Sequence, residues 1–491
     1  MNHRNITIVL IITAAAIDSG ARASEQRYSK RFRPFRSVAD SLHRGHGHHD
    51  VAAMHRGGVH AGANTSLVVN VLDFGARGDA CAAVKNGAAA NNATDNTAPF
   101  TAALAECAKA GGGTVYAPPG CYAFQGALSV PTGVCLRGSY TVVPSHDMRD
   151  GGAGQEPTDG TVLMPLADRG NANGTSFVTL PLNAGLAGLV VFYPQQERVA
   201  TPVPYPYAVS MTADNAFVTD VELLNPWGGI NAVGAHRHYI ARVQGQPLNV
   251  GVRVDATYDI GRIEDVHFNP WYSCAHPFVE WQLTHGRAFV MGRSDWEYVF
   301  NTFAFGYAIG YHFIETSTGT MNGNFLGIGA DLAINASVRV DASQAPGLLI
   351  TNGEFTAFHT AQWLPHATSA WESTQIVVGP DNKGPVKLVD TSFWGPCSQV
   401  VQVAAGSTGS VTLSACQLVQ WDLQAKDGRA AVQIGGGSAV LIGNTFADNK
   451  TQVEVGPGAK KVVVVANLWA DGEMIVDNSG GKAAIEKGLN A

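Results

Sequence analysis

Asn352-Gly353-Glu354-Phe355 is the stretch to which the rest of the chain keeps returning. The same polar-then-apolar pattern recurs in Asp220-Val221-Glu222-Leu223, Arg242-Val243-Gln244, Asp265-Val266-His267-Phe268 and Asn301-Thr302-Phe303. It continues in Asn322-Gly323-Asn324-Phe325, Thr391-Ser392-Phe393, Cys416-Gln417-Leu418, Asn444-Thr445-Phe446 and, weakly, Asn467-Leu468-Trp469. Counted from Glu222, the steps are 22, 23, 35, 22, 30, 38, 25, 28 and 23 residues. Spacing of roughly 20–30 residues marks a solenoid, whose units bury their apolar sides by stacking on one another.

Adjacent residues of a strand face opposite ways. Phe268, Phe303, Phe325, Phe355, Phe393 and Phe446 share one phase and are expected inside. Their neighbours His267, Thr302, Asn324, Glu354, Ser392 and Thr445 are expected outside. Between copies lie short β-branched runs and Gly, Asn, Asp and Pro turns, with little helical periodicity. The pattern predicts an all-β chain, a right-handed parallel β-helix solenoid of about ten or more coils. A propeller blade needs roughly 40–45 residues, which the short steps do not supply.

A 491-residue chain with 45% apolar residues can build a large core, and a solenoid core grows lengthwise as one domain. Its 56 glycines suit a turn-rich chain. Charged residues are 14% of the total, too few for a nucleic-acid binder. Residues 1–60 hold 9 Lys and Arg against 4 Asp and Glu, leaving the remainder with 23 against 35, a net of −12. An acidic body does not favour polyanions.

Residues 1–23 read as a secretory signal: Arg4, a short apolar run over 6–17, then Ala21-Arg22-Ala23. That run is too short to span a bilayer, as is every other apolar segment. A secreted protein is expected. Residues 24–66 are basic and His-rich and read as a disordered leader rather than a metal-binding tail. The solenoid domain is expected over 67–491.

That domain opens with Asp73-Phe74-Gly75-Ala76, then Asp95-Asn96-Thr97, Gly111-Gly112-Gly113-Thr114-Val115-Tyr116 and Pro118-Pro119-Gly120. Thr94 or Asp95 is placed to cap a helix through Phe100, Leu104 and Cys107, which would plug the open end of the first coil. The stretch resembles the opening of pectate-lyase-superfamily β-helix proteins related to polygalacturonases and rhamnogalacturonases. The resemblance covers about 75 residues and implies fold rather than activity. The polygalacturonase catalytic motifs do not recur: Asn301-Thr302-Phe303 has Phe in place of Asp, and Gly261-Arg262-Ile263-Glu264 has Glu in place of Lys.

Residues 145–173, rich in Gly, Asp and Pro, read as a loop, and the coils proper as 215 to about 476. The long steps carry insertions, one from Trp271 to Arg293 and one with Trp363 and Trp371, of the kind that wall a groove. Cys81, Cys107, Cys121 and Cys135 cluster near the cap with three pairings open, and the odd cysteine is expected among Cys274, Cys397 and Cys416. Sequons begin at Asn64, Asn92, Asn173, Asn335 and Asn449.

Acidic groups crowd the first half of the outer face. Glycoside hydrolysis needs two carboxyl groups about 5–9.5 Å apart, one protonated and one ionised. The candidates are Asp295 and Glu297, expected on one side of their strand, with Asp331, Glu354 and then Asp265. Asp220, Glu222 and Asp390 read as solvated. Trp271, Tyr272, Trp296 and Tyr298 are candidates to stack on sugar rings, and Arg242, His267 and Arg293 to hydrogen-bond them. The main expectation is a hydrolase of a polysaccharide or oligosaccharide, without cofactor or metal. A uronate lyase is the alternative, with Arg242, His267 or Tyr298 as base and Ca2+ on Asp220, Glu222 and Asp265. A non-catalytic glycan-binding solenoid is the third. Oligomeric state is open.

Overall fold

The structure, a computed structural model, describes residues 67–86, 89–149, 155–357, 373–423 and 426–491. The expected signal and leader, and Trp363 and Trp371, lie outside the described residues. The described residues all belong to one compact unit, 66–491.

Among the described residues thirty-five strands join in parallel ladders, the arrangement of a β-helix. Three ladders run along the solenoid. Strands such as Phe217–Leu223, Tyr239–Gly245 and Arg262–Phe268 serve two of them, because each bends in its middle. The bend is one residue in the left-handed conformation: Asp220, Arg242, Asp265, Asn301, Asn352, Asp390, Ala415 and Ala466, with Gly188, Gly327 and Gly443 in equivalent places. Most are Gly, Asn or Asp, the types that tolerate positive φ at least cost. Each corner N–H donates to the coil above, as Asn301 does to the Leu326 carbonyl (3.0 Å) and Asn352 to that of Val389 (3.1 Å). The first sheet precedes this corner and the second follows it. The third holds Val250–Asp255, Arg287–Met291, Ile309–Phe313, Ala336–Val340 and Thr374–Val378.

The corner, not the phenylalanine, sets the register. Two residues beyond it, outward, stand Glu222, Gln244, His267, Phe303, Gly329, Glu354 and Ser392 in one ladder. One further, inward, stand Leu223, Gly245, Phe268, Ala304, Ala330, Phe355 and Phe393. Phe303 is therefore not a core residue: it pairs with His267 and Gly329, while Thr302 and Ala304 point in. Asn324 and Phe325 sit before their corner, Gly327, and belong to the first sheet, where Phe325 is buried between Val299 and Ile350. Phe268, Phe355, Phe393 and Phe446 are buried and some stack, Phe355 on Phe393 at 5.8 Å and Phe268 on Phe289 at 5.6 Å.

The helix Thr97–Lys109 buries Phe100, Ala103, Leu104 and Cys107 against the first coils. Asp95 starts it by accepting from the Thr97 N–H (3.0 Å) and hydroxyl. Asn96, not Thr94 or Asp95, occupies the formal cap position. Cys81 and Cys121 form a disulfide. Cys107, Cys135, Cys397 and Cys416 are thiols, so the sequence-based count of one odd cysteine is corrected. Two local expectations also change. Residues 145–173 contain the buried strand Thr161–Pro165, paired with Gly120–Phe124. The first insertion contains a helix, Phe278–His285, seated by Phe278, Val279 and Leu283. Apolar β-branched and aromatic runs this short do not reveal which element they join.

Candidate active site

Asp295 and Glu297 do not share a face. The strand Ser294–Phe300 bulges at Trp296, whose φ is +70°, and its register with Met321–Leu326 shifts between Ser294 and Glu297. The extra residue sends Glu297 inside, where it is fully buried. There it accepts from Ser294 Oγ (2.7 Å) and meets His238 Nε2 (3.0 Å), and His238 Nδ1 lies 2.9 Å from the Ala235 carbonyl. Burial alone would lower the His238 pKa, but Glu297 more than offsets it and holds the imidazole above its ordinary value. Glu297 is an interior anchor closed to substrate.

Two further candidates serve the corners. Asp265 accepts from Asn301 Nδ2 at 2.6 Å, joining two corner residues. Arg242 clasps Asp220 with Nε and Nη2 (2.6 and 2.9 Å), doing the same two coils earlier. Glu222, expected in solvent, is buried beneath His146, whose backbone N–H donates to it at 2.7 Å. The three carboxylates proposed for Ca2+ thus serve three different partners. Among the described residues no three or more His, Cys, Asp or Glu gather as metal ligands.

Asp331 and Glu354 do come together. Gly329–Asp331 lies between Phe303–Phe305 and Glu354–Thr356 in the second sheet, with Gly329 beside Glu354. Asp331 is outward, two residues on and one coil below, a diagonal of about 7–8 Å at the backbone. The half-buried Asp331 has one oxygen, Oδ1, shut from solvent without a hydrogen-bond partner. Burial, aided by the charge of Glu354 and opposed by a backbone N–H at Leu332, pushes its pKa from 3.8 up to about 6. Glu354 is exposed and accepts from Trp394 Nε1 at 3.3 Å.

Aromatic side chains continue the ladder. Phe303 lies over Gly329, where a Cβ would sit 2.9 Å from its ring. His267 packs on Phe303 (5.1 Å) and Trp271 (4.8 Å). Burial lowers the His267 pKa, so the imidazole is neutral near pH 7, and its buried Nε2 has no protein partner. Tyr272 is buried within the insertion and is withdrawn as a stacking surface.

Arg293, Asp295, Trp296 and Tyr298 lie elsewhere, on the first sheet. With Asn324, Gln344 and Lys387 they line or border a groove of about 540 Å³. Arg293 and Gln344 each donate to Asp295 at 2.8 Å; burial raises its pKa, but these donors hold it below the ordinary carboxylate value.

The third sheet carries a cluster that sequence reasoning missed. Arg253, His312 and Arg339 point out along one line, His312 beside Arg339. His312 Nε2 lies 2.7 Å from Asp341, and Arg339 Nε donates to the same carboxylate at 2.8 Å. The signal was present: Val252-Arg253-Val254, Tyr311-His312-Phe313 and Val338-Arg339-Val340 each put one polar residue between two apolar ones.

No family model matches the chain, and no curated protein matches it at a significant level. Solved structures do. A GH87 alpha-1,3-glucanase catalytic unit from Streptomyces thermodiastaticus aligns with 86% of this chain and 68% of its own, at 14% identity and TM-score 0.46. The A-module of a mannuronan C-5 epimerase from Azotobacter vinelandii aligns over 86% and 99%, at 15% identity and TM-score 0.41. A tailspike protein of E. coli bacteriophage HK620, in complex with a hexasaccharide, aligns over 84% and 78%, at 11% identity and TM-score 0.49. These likenesses concern the fold.

Proposed function

We propose that this chain is a secreted glycoside hydrolase acting on a polysaccharide or oligosaccharide. Asp331 is the proton donor and Glu354 the ionised partner. The observation that carries the reading is the Asp331 carboxyl, half-buried with one oxygen unpartnered, and raised to about 6 beside an exposed carboxylate. A carboxyl group kept protonated toward neutral pH can deliver its proton to a glycosidic oxygen as the bond breaks. Glu354, reached by solvent and bonded only weakly by Trp394, is suited to activate a water. The two side chains stand on neighbouring coils of the same outer face, close enough to flank one glycosidic bond. Phe303, Trp271 and Trp394 offer apolar faces for sugar rings along the same coils.

The test is incubation with a panel of neutral and acidic polysaccharides, reading new reducing ends and the ultraviolet absorbance of unsaturated products. Asp331→Asn and Glu354→Gln should each abolish reducing-end release. Full turnover in both variants refutes the assignment. One observation favours a second reading. Arg253 and Arg339 on the third sheet, each beside an aspartate (Asp255 at 3.5 Å and Asp341 at 2.8 Å), carry the guanidinium groups with which β-elimination would neutralise a uronate, and unsaturated product insensitive to Glu354→Gln would select that lyase.

A further inference from the structure

The first sheet offers a second binding surface, separate from the carboxyl pair. Along Ser294–Phe300 the outward side chains are Trp296, Tyr298 and Phe300, which are 59%, 41% and 48% exposed. Exposed leucines continue the surface on the next coils, Leu326 beside Phe300 and Leu349 two coils beyond Tyr298. Large apolar groups do not collect in this way on a face that meets only water.

Trp296 is also held there against its backbone preference. A left-handed conformation is foreign to a bulky residue. The surroundings enforce it. Ser294 and Glu297, on either side of the bulge, are buried and bonded to each other, and Glu297 is locked to His238. From outside, Asn322 Oδ1 accepts the Trp296 N–H at 3.2 Å. The interior carboxylate therefore acts as the clamp that thrusts an indole into solvent.

Beside the indole is the groove of about 540 Å³, within the range of roughly 300–1,000 Å³ usual for ligand sites. Its polar lining is planar: the amides of Asn322, Asn324 and Gln344 and the Arg293–Asp295 pair. Arg293 and Gln344 bond Asp295, and Asn322 Nδ2 donates to Gln344 Oε1 at 2.6 Å, which leaves the Asn324 amide and the outer carboxylate lone pairs for a ligand, with Lys387 also in the lining.

From this geometry we infer that the Trp296 groove is a binding platform for an uncharged glycan, separate from the catalytic pair. A pyranose presents an apolar C–H face to the indole and equatorial hydroxyls to amides and carboxylate. The lining pairs its arginine with Asp295 and holds Lys387 as its one other cation, so a uronate polymer would find no row of cations here. The platform occupies the same coils as Phe303, Asp331 and Glu354, on the other side of the left-handed corner. A chain held there stays close to the catalytic face without occupying it.

The test is native gel electrophoresis of the full chain through gels containing dextran, mixed-linkage β-glucan or polygalacturonate. At least one neutral polymer should retard the wild type, and Trp296→Ala should weaken that retardation by roughly tenfold, about 1.4 kcal/mol. Trp296→Phe should recover much of it. Asn324→Ala, which leaves the bulge intact, should weaken it too and covers the case in which Trp296→Ala fails to fold. Asp331→Asn should be retarded like the wild type, which separates failure here from failure of the catalytic assignment. The inference is overturned if no neutral polymer retards the protein, if only polygalacturonate does, or if folded Trp296→Ala and Asn324→Ala bind unchanged. It is overturned equally if Trp296→Ala converts an oligomer to a monomer while glycan retardation persists, which would assign the surface to a second copy of the chain.

Discussion

Replacing Asp331 with Asn should make the protein more stable while making it inactive. The magnitude follows from the raised pKa. An unfolded aspartate ionises near 3.8, and in the fold this one ionises near 6. A difference of about two units at about 1.4 kcal/mol each is about 3 kcal/mol, or about 2 kcal/mol after allowance for its partial exposure. The sign is that of a carboxyl raised by folding. Below pH 3.8 both states are protonated and nothing is lost. Between 3.8 and about 6 the unfolded state releases its proton first and stability falls. Above 6 the whole penalty stands. An amide has the same shape and no charge, so Asp331→Asn should match the wild type near pH 4 and exceed it by about 2 kcal/mol at pH 7. Urea unfolding of both chains across that range, with reducing-end release assayed in parallel, reads both effects. The reasoning is refuted if Asp331→Asn is no more stable at pH 7 than at pH 4 relative to the wild type, or if it keeps full activity.

Three other outcomes are expected. Hydrolysis by the wild type should decline as pH rises through about 6, because the donor must carry its proton; a rate constant from pH 5 to pH 8 would remove Asp331 from that role. Glu297→Ala should leave His238 buried without its partner and cost about 3–5 kcal/mol, measured by denaturation, whereas a surface carboxylate would cost little. Gly329→Val should crowd the Phe303 ring and the Glu354 carbonyl, which a Cβ would approach to 2.9 and 3.2 Å, and should raise KM or abolish turnover more than it shifts the unfolding midpoint.

Much of the architecture was legible because it repeats. Alternation, step length and the Gly-Gly-Gly-Thr-Val-Tyr and Asp95-Asn96-Thr97 stretches are local features, and each coil states them again. Asp331 and Glu354 were both visible as candidates, Glu354 as a charge among the Asn and Thr of the repeat and Asp331 as an acid seven residues beyond Asn324. What the chain determined by itself is therefore the solenoid, its capping helix and the acidic character of one half. Only the tertiary structure decided which face each group occupies. Alternation holds within an unbroken strand, and one left-handed residue reverses it: Asn301 turns Phe303 outward, and Trp296 turns Glu297 inward. Pairing between coils is likewise invisible along the chain, because Asp331 meets Glu354 through stacking across a gap of 23 residues. The desolvation that readies one carboxyl to hold a proton exists only once the neighbouring coil has closed over it.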